Sequence, residues 1–246
     1  MNEGIHIQLA AEQLGSFLGF PITNTLVMSW VVVIILTIIA VVLGSRLKLA
    51  PSRFQTLIEA LIEFVDKYVA DILGNEKRAR FFFPFLMTLF LFIATANLIE
   101  FTPGIGSLGF WHGTEFVPLL RSVNSDLNVT LALAIISVVV IEIAGVVISG
   151  LWGHLGKFFN FSSPLNFVVG LIELVSEVSR LISFSFRLFG NIFAGEVLIA
   201  VASYFVPFIL PSFLMTFELF VGFVQAAVFA LLTLFFLKLA MVDAHH

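Results

Sequence analysis

Three charged side chains recur every seven residues within one long apolar segment: Glu173, Arg180 and Arg187. Successive residues of an α-helix turn by about 100°, so a seven-residue interval returns to within about 20° of the same direction. The three side chains are therefore predicted to lie on one face of a helix. An arginine at the centre of a membrane-spanning helix costs about 2.5–3.5 kcal/mol on insertion scales, so such charges usually face a bundle interior, a watery cavity or a partner.

Other polar and small residues accompany these charges. The stripe is continued by Ser176, Glu177, Ser183 and Asn191. Gly190 and Ala194 lie on the Arg187 side, and small residues allow another helix to approach closely in a membrane. Glu196 points to the opposite face, and Glu218 and Gln225 share a face of the final apolar segment. Carboxyl groups can accept and release protons, whereas an arginine stays charged and acts as a fixed cation.

Two interpretations of Arg180 remain open. It forms an internal ion pair with Glu173 or Glu177, or it contributes to a proton route. Arg187 has no carboxylate one turn away on its own face, so its partner is expected on another helix or another subunit. Glu142, inside the third apolar segment, is either a proton-path residue or a polar group in helix packing.

The composition predicts the surroundings of these residues. The chain has 246 residues, 60% hydrophobic and 11% charged, with a mean hydropathy of +1.11. Soluble domains are about half apolar and a quarter charged, so this is an integral membrane protein. The absence of cysteine excludes disulfides, thiolate metal sites and cysteine nucleophiles. A net charge of −4 does not indicate nucleic-acid binding.

The predicted fold is an all-α membrane protein with one domain, 1–246. Five transmembrane helices are expected at about 25–43, 81–99, 127–149, 165–206 and 212–240. An amphipathic helix at about 53–73, which Pro51 is placed to open, is expected at the membrane surface. Packing of that helix on a soluble partner is the alternative. Residues 100–126 and 150–164 are expected to be loops.

The segment 165–206 is longer than one ordinary span. Its 42 residues would reach about 60 Å as a helix, twice the roughly 30 Å hydrocarbon thickness. No proline or polar turn interrupts it, so we expect one long tilted helix that forms a hairpin with the final helix.

Lysine and arginine predict the orientation. Seven of the twelve lie between the first two spans, whereas only Arg121 lies in the following loop. The positive-inside rule then puts the N-terminus outside and the C-terminus in the cytoplasm. Glu173 and Glu177 fall on the inner side of Arg187, and Glu100, Glu196 and Glu218 on the outer side. Two groups of titratable residues separated by a fixed cation are typical of two offset half-channels.

Other classes of site receive little support. The five histidines lie in expected loops or termini, so we expect neither a metal site nor a cofactor, and we interpret His245 and His246 as a tail. GxSxG and HExxH motifs are absent, and no catalytic site is expected within this chain. An ion-coupled secondary transporter is the alternative function, but no internal repeat is visible. The N-terminus has no basic region, so no cleaved signal peptide is expected.

The segment FRLFGNIFAGE at 186–196 closely resembles the a subunit of rotary F-type ATP synthases, the stator part of the membrane sector. NLIE, SDLNVT and FVQAAVFALLTLFFL resemble that family in the same order and spacing, so the resemblance covers most of the chain. It implies that Arg187 is the essential stator charge facing a ring of c subunits. Each c subunit would take a proton from one half-channel and release it to the other.

The resemblance also implies a role for three groups of residues. The outer set, which would form an outer half-channel, consists of Asn97, Glu100, Glu196, Glu218 and Gln225. The inner set, an inner route, is Glu173, Ser176, Glu177 and Arg180. The approach set, close to the c ring, is Ser183, Gly190, Asn191 and Ala194. Some relatives have histidine at the position of Glu218, so here Glu196 and Glu218 are expected to titrate as a pair.

The implied partners are the c-subunit ring, the b subunits of the peripheral stalk, other ATP synthase subunits and the lipid bilayer, with no nucleic acid. The expected location is the bacterial plasma membrane, and an organellar inner membrane is the alternative. The sequence of this chain does not decide whether protons or sodium ions are transported, because that choice depends mainly on the c ring.

Overall fold

The computed structural model describes residues 11–17, 19–45, 47–48, 51–100, 109–112, 115–118, 120–158 and 163–242. Five of its helices are long and apolar enough to cross a membrane. They are α1 (Asn24–Ser45), α3 (Glu76–Glu100), α4 (Leu127–Ser149), α6 (Pro164–Phe205) and α7 (Ile209–Val242). The predicted all-α membrane fold with five spans is confirmed. Many of their apolar side chains are exposed, as lipid-facing residues are, among them Val147 and Leu165.

Helix α2 (Arg53–Leu73) matches the predicted amphipathic helix. Its start is capped by Ser52, whose hydroxyl accepts a hydrogen bond from the Gln55 amide at 3.3 Å. Pro51 therefore precedes the cap, and the prediction that it opens the helix is wrong. At the other end Gly74 adopts a left-handed conformation with φ 66°, and its amide donates to the Ala70 carbonyl.

The long segment forms one uninterrupted helix, α6, of 42 residues. A short turn separates it from α7, and Phe208 takes a positive φ of 76° there. Helix α7 begins at Ile209, three residues before the predicted start, because Pro211 fits within a first helical turn. Helix α3 likewise begins earlier than predicted, at Glu76, and contains Pro84.

Both expected loops contain regular structure, so those predictions were wrong in part. Within 150–164 lies α5 (Leu151–Phe158), which follows α4 after Gly150 at φ 76°. Within 100–126, β3 (Gly109–His112) pairs antiparallel with β4 (Glu115–Pro118). A second hairpin, β1 (Gln13–Phe17) with β2 (Phe20–Thr23), precedes α1. Elements of four to eight residues give too short a pattern for sequence periodicity to detect.

Some sequence predictions fall outside the described residues. They include Arg46, one of the seven basic residues between the first two spans, and His6, His245 and His246. Among the other histidines, His112 lies in β3 and His154 in α5, so neither lies in a loop as expected.

The chain divides into two compact units, and several helices contribute to both. Unit 1 comprises Met1–Arg46, Leu89–Thr130 and Phe186–Val228. Its apolar core contains Met28 and Val32 of α1, Ala96 of α3, and Val123 before α4. Phe90 and Phe223 add an edge-to-face contact between α3 and α7, with ring centroids 5.5 Å apart.

Unit 2 comprises Leu47–Thr88, Leu131–Ser185 and Phe229–His246. Its core joins α2, α3, α4 and α7 through Val69, Leu86, Ile141 and Leu237. Helix α6 contacts α7 here through Phe184, whose ring lies 4.9 Å from that of Phe229. The two helices also meet within unit 1, at Gly195 and Glu218, as expected of the predicted hairpin.

Candidate functional site

The two predicted sets of polar residues belong to different units. All five residues of the outer set, and Arg187, lie in unit 1. All four residues of the inner set lie in unit 2.

Glu218 is buried in unit 1, on the side of α7 that contacts α6. Its exposed fraction is only 6%. Its carboxylate faces Gly195, and a methyl group on that glycine would lie 2.6–2.7 Å from both carboxylate oxygens. Contacts below about 3.0 Å are essentially never made by real Cβ atoms. The glycine therefore provides the space that the carboxylate occupies.

Glu100, at the end of α3, links the carboxyl groups of unit 1. The Ser122 hydroxyl donates a hydrogen bond to its Oε2 at 2.6 Å. Its carboxyl group also interacts with those of Glu196 and Glu218. The sequence predicts paired titration of Glu196 and Glu218 and places Glu100 in the same outer set, and in the structure Glu100 interacts with both. We call these three residues the carboxyl cluster.

Glu196 has further polar neighbours in the segment before α4. Its carboxyl group interacts with Ser125 and with the positive charge of Arg121. The short segment 121–126 therefore contributes to the cluster from outside the long helices. A positive charge close to a carboxylate stabilises its ionised form.

Asn97 lies one helical turn before Glu100 and is fully buried, with 1% exposure. Its Nδ2 donates to the Gly222 carbonyl of α7 at 2.9 Å. Its Oδ1 accepts from the Nδ2 of Asn124 at 2.6 Å. A methyl group on Gly222 would lie 2.9 Å from the Asn97 Cβ, so this glycine allows α3 and α7 to approach closely. Gln225 is also buried in unit 1.

Three buried oxygen atoms in this region accept no hydrogen bond from any residue that the structure describes. They are Oε1 of Glu100, Oδ1 of Asn124 and Oε2 of Glu218. A buried polar atom without a partner costs about 1–3 kcal/mol. All three atoms are acceptors, so the arrangement suits a mobile hydrogen-bond donor such as water.

The segment before α4 is held by its own hydrogen bonds. Asp126 Oδ1 accepts from the Asn128 amide at 2.9 Å, which caps the start of α4. Its Oδ2 accepts from the Thr25 hydroxyl of α1 at 2.8 Å. Asn24 Nδ2 also donates to the Pro118 carbonyl at 3.3 Å, which joins α1 to the β3–β4 hairpin.

Arg187 lies on the exposed side of α6 in unit 1. The buried side of the same helix presents Leu188 and Ile192 to the interior. Three residues of the approach set also lie in unit 1, where Ala194 is exposed and Gly190 and Asn191 are partly buried, whereas the fourth, Ser183, is an exposed residue of unit 2. A methyl group on Gly190 would meet no atom within 4 Å, so the surface there is open.

In unit 2, Arg180 forms an ion pair with Glu177 at 2.8 Å. Both side chains retain 13% exposure. The guanidinium also lies 4.3 Å from the centroid of the Phe236 ring of α7, a cation–π contact. Of the two interpretations of Arg180, the internal ion pair is therefore present. Glu173 and Glu142 are partly buried, and Ser176 is exposed.

The sequence prediction missed Ser122 and Asn124 and gave Arg121 no role beyond orientation. All three fall in the polar run RSVNSD at 121–126, between two apolar segments. That run was the available signal, but only the structure shows which of its side chains contact α3. Among the described residues, no group of three or more His, Cys, Asp or Glu could hold a metal ion.

A multi-pass membrane protein with buried acidic groups and an arginine on a span has the features of an ion-translocating protein. Comparison with known proteins identifies the family. The family model for the ATP synthase A chain matches residues 26–238. The chain belongs to this family, as an ion-translocating stator subunit in the membrane sector of an F-type ATP synthase.

Individual relatives cover nearly the whole chain. It is 35% identical to an ATP synthase subunit a of Desulforamulus reducens, over 91% of this chain and 81% of that protein. It is 32% identical to the "ATP synthase subunit a, sodium ion specific" of Propionigenium modestum, over 100% of this chain and 84% of that protein. It is also 33% identical to an ATP synthase subunit a of Mycobacterium bovis, over 98% of this chain and 96% of that protein.

Proposed function

We propose that this chain provides two offset proton half-channels to a ring of c subunits, with Arg187 as the fixed charge between them. Protons reach the c-subunit carboxylates through one half-channel and leave them through the other after nearly a full rotation. The ring and the b subunits of the peripheral stalk are its proposed partners. The observation that carries this proposal is the carboxyl cluster of unit 1, in which Glu218 is buried and Glu100 and Glu196 are partly buried. Glu100 Oε1 and Glu218 Oε2 accept no hydrogen bond from a described residue.

The outer half-channel consists of the outer set in unit 1. Carboxyl groups exchange protons readily and can hand them to neighbours within hydrogen-bonding reach or through one water. Glu100 interacts with both other carboxyl groups of the cluster, which supports a stepwise transfer. The buried Asn97 and Gln225 supply polar groups beside that path.

Arg187 prevents direct proton flow between the half-channels and attracts an ionised c-subunit carboxylate. Its guanidinium remains protonated throughout, so it cannot relay a proton itself. Its exposed position on α6 and the open surface at Gly190 support the close approach of another helix. The approach set would line that contact.

The inner route consists of the inner set in unit 2. Arg180 is seven residues before Arg187 in the sequence of α6. Its pairing with Glu177 leaves Glu173 and Ser176 as further polar groups one turn earlier on the same helix. The ion pair offsets charge on this route and does not exclude proton passage.

Sodium is a second candidate for the transported ion. One relative of 32% identity is named sodium ion specific, which favours testing this possibility directly. We propose protons because the carboxyl groups of the carboxyl cluster can accept and release them. ATP-driven transport that requires added Na⁺, in vesicles otherwise free of it, would assign sodium instead.

The orientation proposed from the lysine and arginine distribution has the N-terminus outside and the C-terminus cytoplasmic, in a bacterial plasma membrane. Cysteines introduced at exposed Ser52 and Ser203, on opposite sides by this topology, would test it by labelling with a membrane-impermeant reagent. Only Ser203 is expected to react from outside.

The outer route is tested by replacing Glu196 and Glu218 with glutamine together. Passive proton conductance of the assembled membrane sector in vesicles should fall by about tenfold or more, since amides cannot carry protons. Glu63→Gln is the matched control, because Glu63 is exposed on α2. Conductance of the double variant equal to that of the control would reject the proposed route.

A further inference from the structure

Two amides and one carbonyl in unit 1 form a hydrogen-bonded series with a fixed direction. The Gly222 carbonyl can only accept, so Asn97 must direct its Nδ2 toward it, at 2.9 Å. The Oδ1 of Asn97 then accepts from Asn124 Nδ2 at 2.6 Å. If the side-chain amide of Asn97 or of Asn124 were rotated by 180°, its Oδ1 would face another acceptor oxygen. The Oδ1 of Asn124 is therefore fixed as the free end of the series, and it is an acceptor.

That free end is buried. Asn124 has no exposed surface, and its Oδ1 accepts no hydrogen bond from the described residues. Leaving an amide oxygen in this state costs about 1–3 kcal/mol. The group that satisfies it must be a hydrogen-bond donor.

The series runs beside the carboxyl cluster. Asn97 is three residues before Glu100 on α3, and Gly222 is four residues after Glu218 on α7. Residues three and four apart on a helix are neighbours, so the contact of Asn97 with Gly222 lies one turn from both carboxyl groups. Ser122, two residues before Asn124, donates directly to Glu100.

We propose that Asn124 is a further residue of the outer proton route. It is a positioning residue for Asn97, and its own Oδ1 binds a water molecule that passes protons toward the carboxyl cluster. The inference rests on the proposed function, in which that cluster receives protons. The water accepts one proton on its oxygen and releases one to a carboxylate, so its composition does not change.

Two variants of Asn124 separate this role from simple packing. Asn124→Leu removes both the donor to Asn97 and the acceptor for water, and should lower passive proton conductance of the assembled membrane sector about fivefold. Asn124→Asp keeps an acceptor but donates to Asn97 only when its carboxyl group is protonated. Its conductance relative to wild type should therefore approach one at low pH and fall as the pH rises.

Asn128→Ala is the control, because Asn128 is exposed. Its described hydrogen bonds are to Asp126 and not to the carboxyl cluster. The amount of subunit recovered in the complex is measured for every variant. If Asn124→Leu does not assemble, the pH series of Asn124→Asp still tests the proposal. The conductance of one Asn124→Asp preparation is then compared across pH values, so the amount of assembled subunit cancels.

The inference is overturned by wild-type conductance in Asn124→Leu, or by a conductance ratio for Asn124→Asp that does not change with pH. The Glu196→Gln, Glu218→Gln double variant is measured in parallel. If only that double variant conducts slowly, the role of Asn124 is rejected and the outer route stands. If neither conducts slowly, the outer route itself is rejected.

Discussion

The carboxylate of Glu218 occupies the space that a side chain at Gly195 would need. A methyl group there would lie 2.7 Å from Oε1 and 2.6 Å from Oε2 of Glu218. The two residues lie on α6 and α7, so the missing side chain on one helix determines where the carboxylate of the other can be buried. Gly195 directly precedes Glu196, another member of the carboxyl cluster.

Gly195→Ala should therefore displace the Glu218 carboxylate while α6 stays helical, because alanine is the better helix former. We expect ATP-driven proton uptake to fall between about tenfold and a hundredfold, as is typical when a reacting group moves by about 1 Å. Gly44→Ala is the matched control, since a methyl group on Gly44 meets no atom within 4 Å. Equal uptake by the two variants would show that the Glu218 position does not matter.

Ser122→Ala should slow proton conductance severalfold. The change removes the 2.6 Å hydrogen bond to Glu100 Oε2 and leaves both oxygens of that carboxyl group without a described donor. A hydrogen bond to a charged group contributes about 1.5–3 kcal/mol. Ser122→Thr keeps the hydroxyl group and should conduct much faster than Ser122→Ala. Indistinguishable conductance of the two variants would contradict this role.

Thr25→Val should lower the stability of the subunit rather than change its chemistry. The variant leaves a buried oxygen of Asp126 without its donor at 2.8 Å, at a cost of about 1–3 kcal/mol. The measurement is the thermal unfolding midpoint of the detergent-solubilised complex. Thr25→Ser retains the hydroxyl group and should have an unfolding midpoint close to that of wild type. An equally high midpoint for Thr25→Val would show that this hydrogen bond does not stabilise the subunit.

Arg180 and Glu177 should be energetically coupled. Glu177→Gln removes one charge from an ion pair that is largely shielded from solvent. Arg180 would then lose its ion pair and retain its cation–π contact with Phe236. A double-mutant cycle with Arg180→Gln should give a coupling free energy of about 1 kcal/mol or more in unfolding experiments. Purely additive effects would mean that the ion pair contributes nothing.

The long elements were predictable because their patterns are long. Helix α6 was predicted within one residue at each end, since 42 residues without proline or a polar turn leave one solution. Helix α5 and the two hairpins were missed because four to eight residues give little periodic signal. The start of α3 was placed too late because its first turn is charged, and hydropathy detects apolar residues only.

The site was predictable where its residues lie on long helices. The seven-residue interval placed Glu173, Arg180 and Arg187 on one face of α6, and the resemblance assigned their roles. Asn124 and Ser122 follow no helical period, so their contacts with Asn97 and Glu100 could not be derived from spacing. The interaction of Glu100 with both other carboxyl groups depends on the packing of α3 against α6 and α7, which a single sequence does not reveal.

ATP-driven proton pumping is the most direct test of Arg187 as the fixed charge between the half-channels. Vesicles that carry the assembled complex with Arg187→Ala should show no ATP-driven acidification, because no fixed charge separates the half-channels or attracts the c-subunit carboxylate. The control is Arg53→Ala, an exposed arginine at the start of α2, which should pump normally. Pumping by Arg187→Ala at the rate of the control would contradict the account.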